Sequence, residues 1–126
     1  MFDAKLLDVA TKLLDHCRNG TESDGLKTLY AADCVSIEAA SPGGGDVTAR
    51  GIDAIKGKHD WWNNAHTVHA GSVEGPFIHG ADRFGLIFSM DVTDKESKRR
   101  MQMKELAIYT VAQGKIVREE FFYSAS

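Results

Sequence analysis

The sequence predicts an α+β domain in which three N-terminal helices pack on a strongly curved, mostly antiparallel sheet that encloses a pocket. Apolar residues recur at helical spacing through the first half of the chain. They recur at alternate positions through the second half, and only short turns separate the segments. Helices grouped first and strands grouped last favour helices laid on one face of a sheet over alternating βα units. A bent sheet closed by helices leaves a concave apolar space, the usual setting for a small ligand.

Leu6, Val9, Ala10, Leu13, Leu14 and Cys17 lie on one helical face, with Lys5, Asp8, Lys12 and Asp15 between them. This predicts a first helix of about four turns that stops near Asn19-Gly20. Thr21 with Asp24 resembles a capping box opening a short second helix through Leu26, Leu29 and Tyr30. A strand follows at Cys34-Val35-Ser36-Ile37-Glu38, then a loop at Ser41-Pro42-Gly43-Gly44-Gly45-Asp46 that lacks the ending of a phosphate-binding loop. Ile52, Ile55, His59 and Trp62 share a face of a third helix, about Ile52 to Asn64. Strands are expected at roughly 67–75, 82–92, 100–112 and 115–123, with turns at Pro76–Gly80, Asp94–Ser97 and Gln113-Gly114.

The 126 residues suit one domain spanning 1–126, and 43% apolar content is enough for a core. A net charge of −3 with mixed signs gives no basic field for nucleic acid or anionic membrane; Lys98-Arg99-Arg100 reads as a solvated hairpin tip. Charges interrupt residues 1–18 too often for a signal peptide or a span. Cys17 and Cys34 read as reduced, largely buried thiols, and the expected compartment is the cytoplasm. His66, His69 and His79 do not converge on a strand at zinc-ligand spacing, so neither a metal nor another cofactor is expected.

Tyr30-Ala31-Ala32-Asp33-Cys34-Val35-Ser36-Ile37-Glu38, Arg50-Gly51-Ile52-Asp53-Ala54-Ile55 and Gly114-Lys115-Ile116-Val117 resemble the nuclear-transport-factor-2-like superfamily, and within it the SnoaL-like group. The resemblance covers essentially the whole chain and implies a cystatin-like cone. It identifies the container more firmly than the chemistry, because one fold hosts many functions. Ketosteroid isomerase is a distant relative on this reading; it works with an aspartate base and an oxyanion hole made of a tyrosine and a protonated aspartate. The resemblance puts Glu38 at the base position and Leu14 where the tyrosine would stand. It puts the second acid near Ala107, with Glu105 two residues earlier on the same face. With two of the three groups missing or moved, steroid isomerisation is not expected.

Glu38 is a proton carrier if its side chain turns inward and a solvated strand residue if it turns outward. His59 lies beside Ile55 and Trp62, either in the core or at the site, and Trp62 is read as pocket wall. Met101, Met103, Glu105, Ala107, Tyr109 and Val111 form one strand face, which suits an apolar ligand with a polar end if it is the concave one. Glu105 on that face must be paired, protonated or part of the site, and Arg118 is a candidate partner. Tyr109 or Tyr123 can replace the missing oxyanion donor, and His69 can face the cavity with Gly71 and Val73. In Arg118-Glu119-Glu120 at least one charge must point inward or into a dimer contact.

The catalytic set is therefore Glu38, His59 and Tyr109, with Leu14, Trp62, His69, Met101, Met103, Glu105 and Tyr123 around a small hydrophobic ligand. One reading is a cofactor-independent isomerase, cyclase or dehydratase that acts on a small hydrophobic carbonyl compound by general acid–base catalysis. The other is a non-catalytic dimeric module that holds an apolar metabolite. The resemblance implies a homodimer through the sheet, to which Leu106 and Ile108 would contribute an apolar patch.

Overall fold

The computed structural model describes residues 4–41 and 45–124. Part of the expected loop, Pro42-Gly43-Gly44, lies outside the described residues. The order is α1 (Ala4–Asn19), α2 (Glu22–Leu29), β1 (Tyr30–Ile37), β2 (Thr48–Arg50), α3 (Ile52–Ala65), β3 (His66–His79), β4 (Arg83–Asp94), β5 (Arg100–Ala112) and β6 (Lys115–Phe122). The six strands form one sheet in the order β2-β1-β6-β5-β4-β3. All neighbours are antiparallel except β1 and β6, so the first and last long strands run side by side in the middle.

Each helix buries the stripe that its spacing dictates. Leu6, Val9, Ala10, Leu13 and Leu14 of α1 are buried, as are Leu26 and Leu29 of α2 and Ile55 of α3. α1 packs on β3 and β4, while α3 packs on β1 and β2, so the helices cover one face of the sheet from both sides. That face supplies Phe84, Leu86, Val92, Ala107, Tyr109, Val111 and Ile116, all at most 8% exposed. Phe84 stacks on Tyr109 with ring centroids 4.8 Å apart.

Several boundaries differ from the sequence reading. The capping box does not form: Thr21 makes no side-chain cap bond, and its Oγ1 lies 2.7 Å from His16 Nδ1. β1 starts at Tyr30, four residues early, where Tyr30 already pairs with Ile116 of β6 ahead of a register shift. β2 is three residues long, too short to carry a visible alternation, and pairs Val35–Ile37 with Thr48–Arg50. The expected turn at Pro76–Gly80 is strand up to His79; a bulge between Glu74 and Phe77 takes up the proline, which has no N–H for the ladder. The turn at Gln113-Gly114 has φ of 53° and 77°, the left-handed pair that a tight hairpin requires.

Gly75 sits in that bulge at φ 131°, and a Cβ there would lie 2.9 Å from the Gly85 carbonyl and 3.0 Å from Leu86 Cδ2. Gly57 in α3 has open space around its Cβ position. Gly75→Ala is expected to destabilise the fold by about 1–3 kcal/mol, whereas Gly57→Ala stabilises it by about 0.5–1 kcal/mol. Urea unfolding of the two variants measures both signs.

Candidate functional site

The core fills one end of the cone, and the other end holds a cavity of about 470 Å³ between α1, α2, α3 and the concave sheet face. Leu13, Cys17 and Leu26 supply helical apolar wall, and Phe88, Met90 and Phe121 supply sheet wall. An adjoining groove of about 810 Å³ runs past Val47, Trp61, His66, Met103 and Tyr123. Glu38, Lys58, Trp62 and Glu105 border both spaces.

The polar groups are set by strand register. Ser36 pairs with Glu119, Glu119 with Tyr109, and Tyr109 with Phe84, so one row crosses four strands on the inner face. Glu119 is 1% exposed; its Oε2 accepts the Tyr30 hydroxyl at 2.8 Å, while Oε1 has no hydrogen-bond partner among the described residues. Burial raises its pKa against the opposing pull of Lys58 and of the Tyr30 and Ser36 hydroxyls. Burial, with Glu119 next in effect, pushes both Tyr30 and Tyr109 well above the ordinary tyrosine value, so both phenols keep their protons.

Lys58 comes from α3, one turn after Ile55 and one before Trp62. Its Nζ donates to Ser36 Oγ and, at 2.6 Å, to Glu38 Oε2, and it lies 4.9 Å from the Phe121 ring centroid. Glu38 Oε1 also accepts the Tyr123 hydroxyl at 3.0 Å. Glu38 thus turns inward but has both oxygens engaged. Burial, then Glu38, raises Tyr123 to about 12.

Glu105 lies on the concave face of β5, opposite Phe88, and does not pair with Arg118. Arg118 is exposed and bonds Glu120 on the other face at 3.0 Å. Burial first, and the nearby Glu38 second, lift Glu105 to about 7, with Lys58 pulling the other way. Burial and Lys58 lower His59, leaving its imidazole neutral at pH 7. Cys17 and Cys34 are free thiols raised to about 12, chiefly by burial, which makes them poor nucleophiles.

Of the residues singled out in the sequence, Glu38, His59, Trp62, Glu105 and Tyr109 line the cavity, and Met103 and Tyr123 line the groove. Three are elsewhere. Leu14 is 5% exposed in the core, because one residue's rotation around α1 presents Leu13 to the cavity instead. His69 is the extra residue of a bulge between Val68 and Ala70, which turns it outward to meet Thr93 Oγ1 at 2.7 Å. Met101 pairs with Val92 beyond the Met103 row and borders neither space. Among the described residues no three His, Cys, Asp or Glu side chains are placed to share a metal ion.

Lys58, Ser36, Tyr30 and Glu119 were not among the residues singled out for the site. Lys58 shares the Ile55–Trp62 face, and that spacing could have found it. Glu119 is hidden by a bulge: Val111 pairs with Ile116 but Thr110 with Arg118, so Val117 is an extra residue that shifts the alternation by one.

The sequence matches the SnoaL-like domain family over residues 7–123. No match was found among curated proteins. Among solved structures, a Mesorhizobium loti protein designated both a SnoaL-like polyketide cyclase and a carbohydrate phosphatase is 37% identical, with a TM-score of 0.86 over 93% of this chain and 97% of that one. A Mycobacterium tuberculosis protein in complex with estradiol-17β-hemisuccinate shares the fold at 15% identity and TM-score 0.74, over 98% and 96% of the two chains. A Catenulispora acidiphila protein with a ketosteroid isomerase-like fold, in complex with trimethylamine, does so at 20% identity and TM-score 0.71, over 94% and 86%. The chain belongs to the SnoaL-like family, and its α+β cone is the nuclear-transport-factor-2-like fold.

Proposed function

We propose that this chain is a cofactor-independent acid–base catalyst, an isomerase, cyclase or dehydratase acting on a small, largely apolar carbonyl compound in the inner cavity. The observation that carries the reading is Glu105, a cavity carboxyl raised to about 7. A group with that pKa both takes and returns a proton at neutral pH. The sequence pointed to Glu38 for this part, but its engagement with Lys58 and Tyr123 makes it the weaker proton carrier and an anchor for Lys58. Tyr109, protonated, and His59, neutral, are donors for the substrate oxygen. The 37% identical relative designated a polyketide cyclase supports chemistry on a carbonyl compound, and the ligand complexes of the more distant proteins support a small-molecule cavity.

A binding module without chemistry is the second reading, favoured by the Lys58–Glu38 ion pair. Only one of the cavity carboxyls Glu38, Glu105 and Glu119 is locked in this way, which favours the enzyme. No helix among the described residues is long and apolar enough to cross a membrane. Two unpaired thiols fit a reducing, cytoplasmic setting.

Pairing through the outer sheet face is part of the proposal. Ile87 pairs with Leu106 and Leu106 with Phe122 across three strands, and Leu106 and Phe122 are 38% and 48% exposed. Size-exclusion chromatography with light scattering is expected to give twice the chain mass, and Leu106→Glu to shift it to the monomer.

Glu105→Gln tests the proton carrier. For any carbonyl substrate that turns over, kcat/KM is expected to rise with pH through about 7 in the wild type. In the variant it is expected to fall at least about 100-fold. The folded pKa of about 7 lies above the ordinary 4.5. Stability from this group is therefore present below about pH 4.5 and lost as pH rises towards 7 and above. Glu105→Gln should accordingly raise Tm at pH 8 and leave it nearly unchanged at pH 4.5, as scanning calorimetry at the two pH values would show.

A further inference from the structure

We propose that the inner cavity recognises a protonated amine on its ligand, with Glu119 Oε1 as the acceptor for the ammonium N–H. This deepens the reading of that cavity as the substrate site: the carbonyl compound would also be an amine. Five acidic side chains line the cavity against two lysines. Two of the acids are already matched, Glu38 by Lys58 at 2.6 Å and Asp60 by Lys56 at 2.7 Å. Among the described residues, Glu22 at the exposed rim, Glu105 and Glu119 have no ion-pair partner, although Lys58 still acts on the last two at longer range.

Glu119 is the buried member of this set that the fold satisfies only in part. It is 1% exposed, it borders the cavity, and one of its oxygens makes no hydrogen bond among the described residues. A buried acceptor left unmatched is costly, and a charged donor is the partner that offsets most of that cost. The surrounding wall suits such a ligand. Tyr109 and Trp62 border the same space, and aromatic faces attract cations while excluding water. His59 is neutral there, so it adds no competing positive charge.

Three probes of one shape separate the alternatives: benzylamine, a cation with N–H donors; benzyl alcohol, a neutral donor; and acetophenone, an acceptor only. By isothermal titration at pH 7.5 the dimer or monomer as purified is expected to bind benzylamine at least about tenfold tighter than either neutral probe. Glu119→Gln is expected to abolish that preference, with the larger loss falling on benzylamine. Equal affinity for benzylamine and benzyl alcohol would overturn the proposal, as would absence of benzylamine binding. Tighter binding of acetophenone would overturn it in favour of a protonated Glu119 that donates. If Glu119→Gln does not fold by circular dichroism, the three wild-type affinities decide alone. Amine preference is read from binding and does not depend on whether Glu105 moves a proton, so the two proposals fail separately.

Discussion

Lys58 connects the helical layer to the sheet through charge rather than through apolar packing. Its ammonium reaches from α3 to Ser36 and Glu38 on the β1 side and lies near the Phe121 ring of β6. It also restrains the pKa values of Glu105 and Glu119. Placing three carboxyls around a half-buried space would be prohibitive without an opposing charge, since desolvation disfavours each ionised form and each repels the next. Lys58 neutralises one of them outright and leaves the other two with altered acidity. The inward turn of Glu38 is held by this one side chain, which also keeps the burial-raised pKa of Glu105 from rising further.

The space itself follows from an uneven division of the sheet face. Phe84, Leu86, Val111 and Ile116 meet the α1 stripe and exclude water. Farther along the same strands, Phe88, Met90 and Glu105 have no helix stripe pressed onto them, because α3 contributes Lys58, His59 and Trp62 at that level in place of a second run of leucines. The helix that follows a short strand and a glycine therefore supplies one wall of the cavity. The long C-terminal meander supplies the opposite wall. Rigid strands holding charged groups in register suit a site that must keep its polar atoms fixed when a ligand arrives.

The fold was legible because its two periodicities are separated along the chain. α1 and α3 show the helical spacing, and β4 and β5 show uninterrupted alternation through paired residues such as Phe84 with Tyr109 and Met90 with Met103. The two faces of β5 could be told apart, with Glu105 and Tyr109 on one of them, but alternation alone does not say which face is concave. What remained hidden lies at interruptions of those patterns. β2 is shorter than one full alternation, His69 and Val117 are bulge residues, and Leu14 differs from Leu13 by one step around a helix. The hydroxyls of Tyr30 and Ser36 belong to the site only because β1 runs parallel to β6, a pairing between chain ends that local spacing does not encode.

The bulge at Val117 also determines what kind of change this protein tolerates. Between Ile116 and Glu119 the strand uses one residue more than its partner, and that surplus lets Ile116 and Glu119 both face inward. Inserting one more residue there, with the one-residue bulge kept, would send either the core isoleucine or the buried carboxyl to the outer face. Deleting Val117 would instead leave Ile116 and Glu119 two residues apart, still on one face of a now regular strand. The length of this short stretch therefore matters more to the cavity than the identity of the residue at position 117.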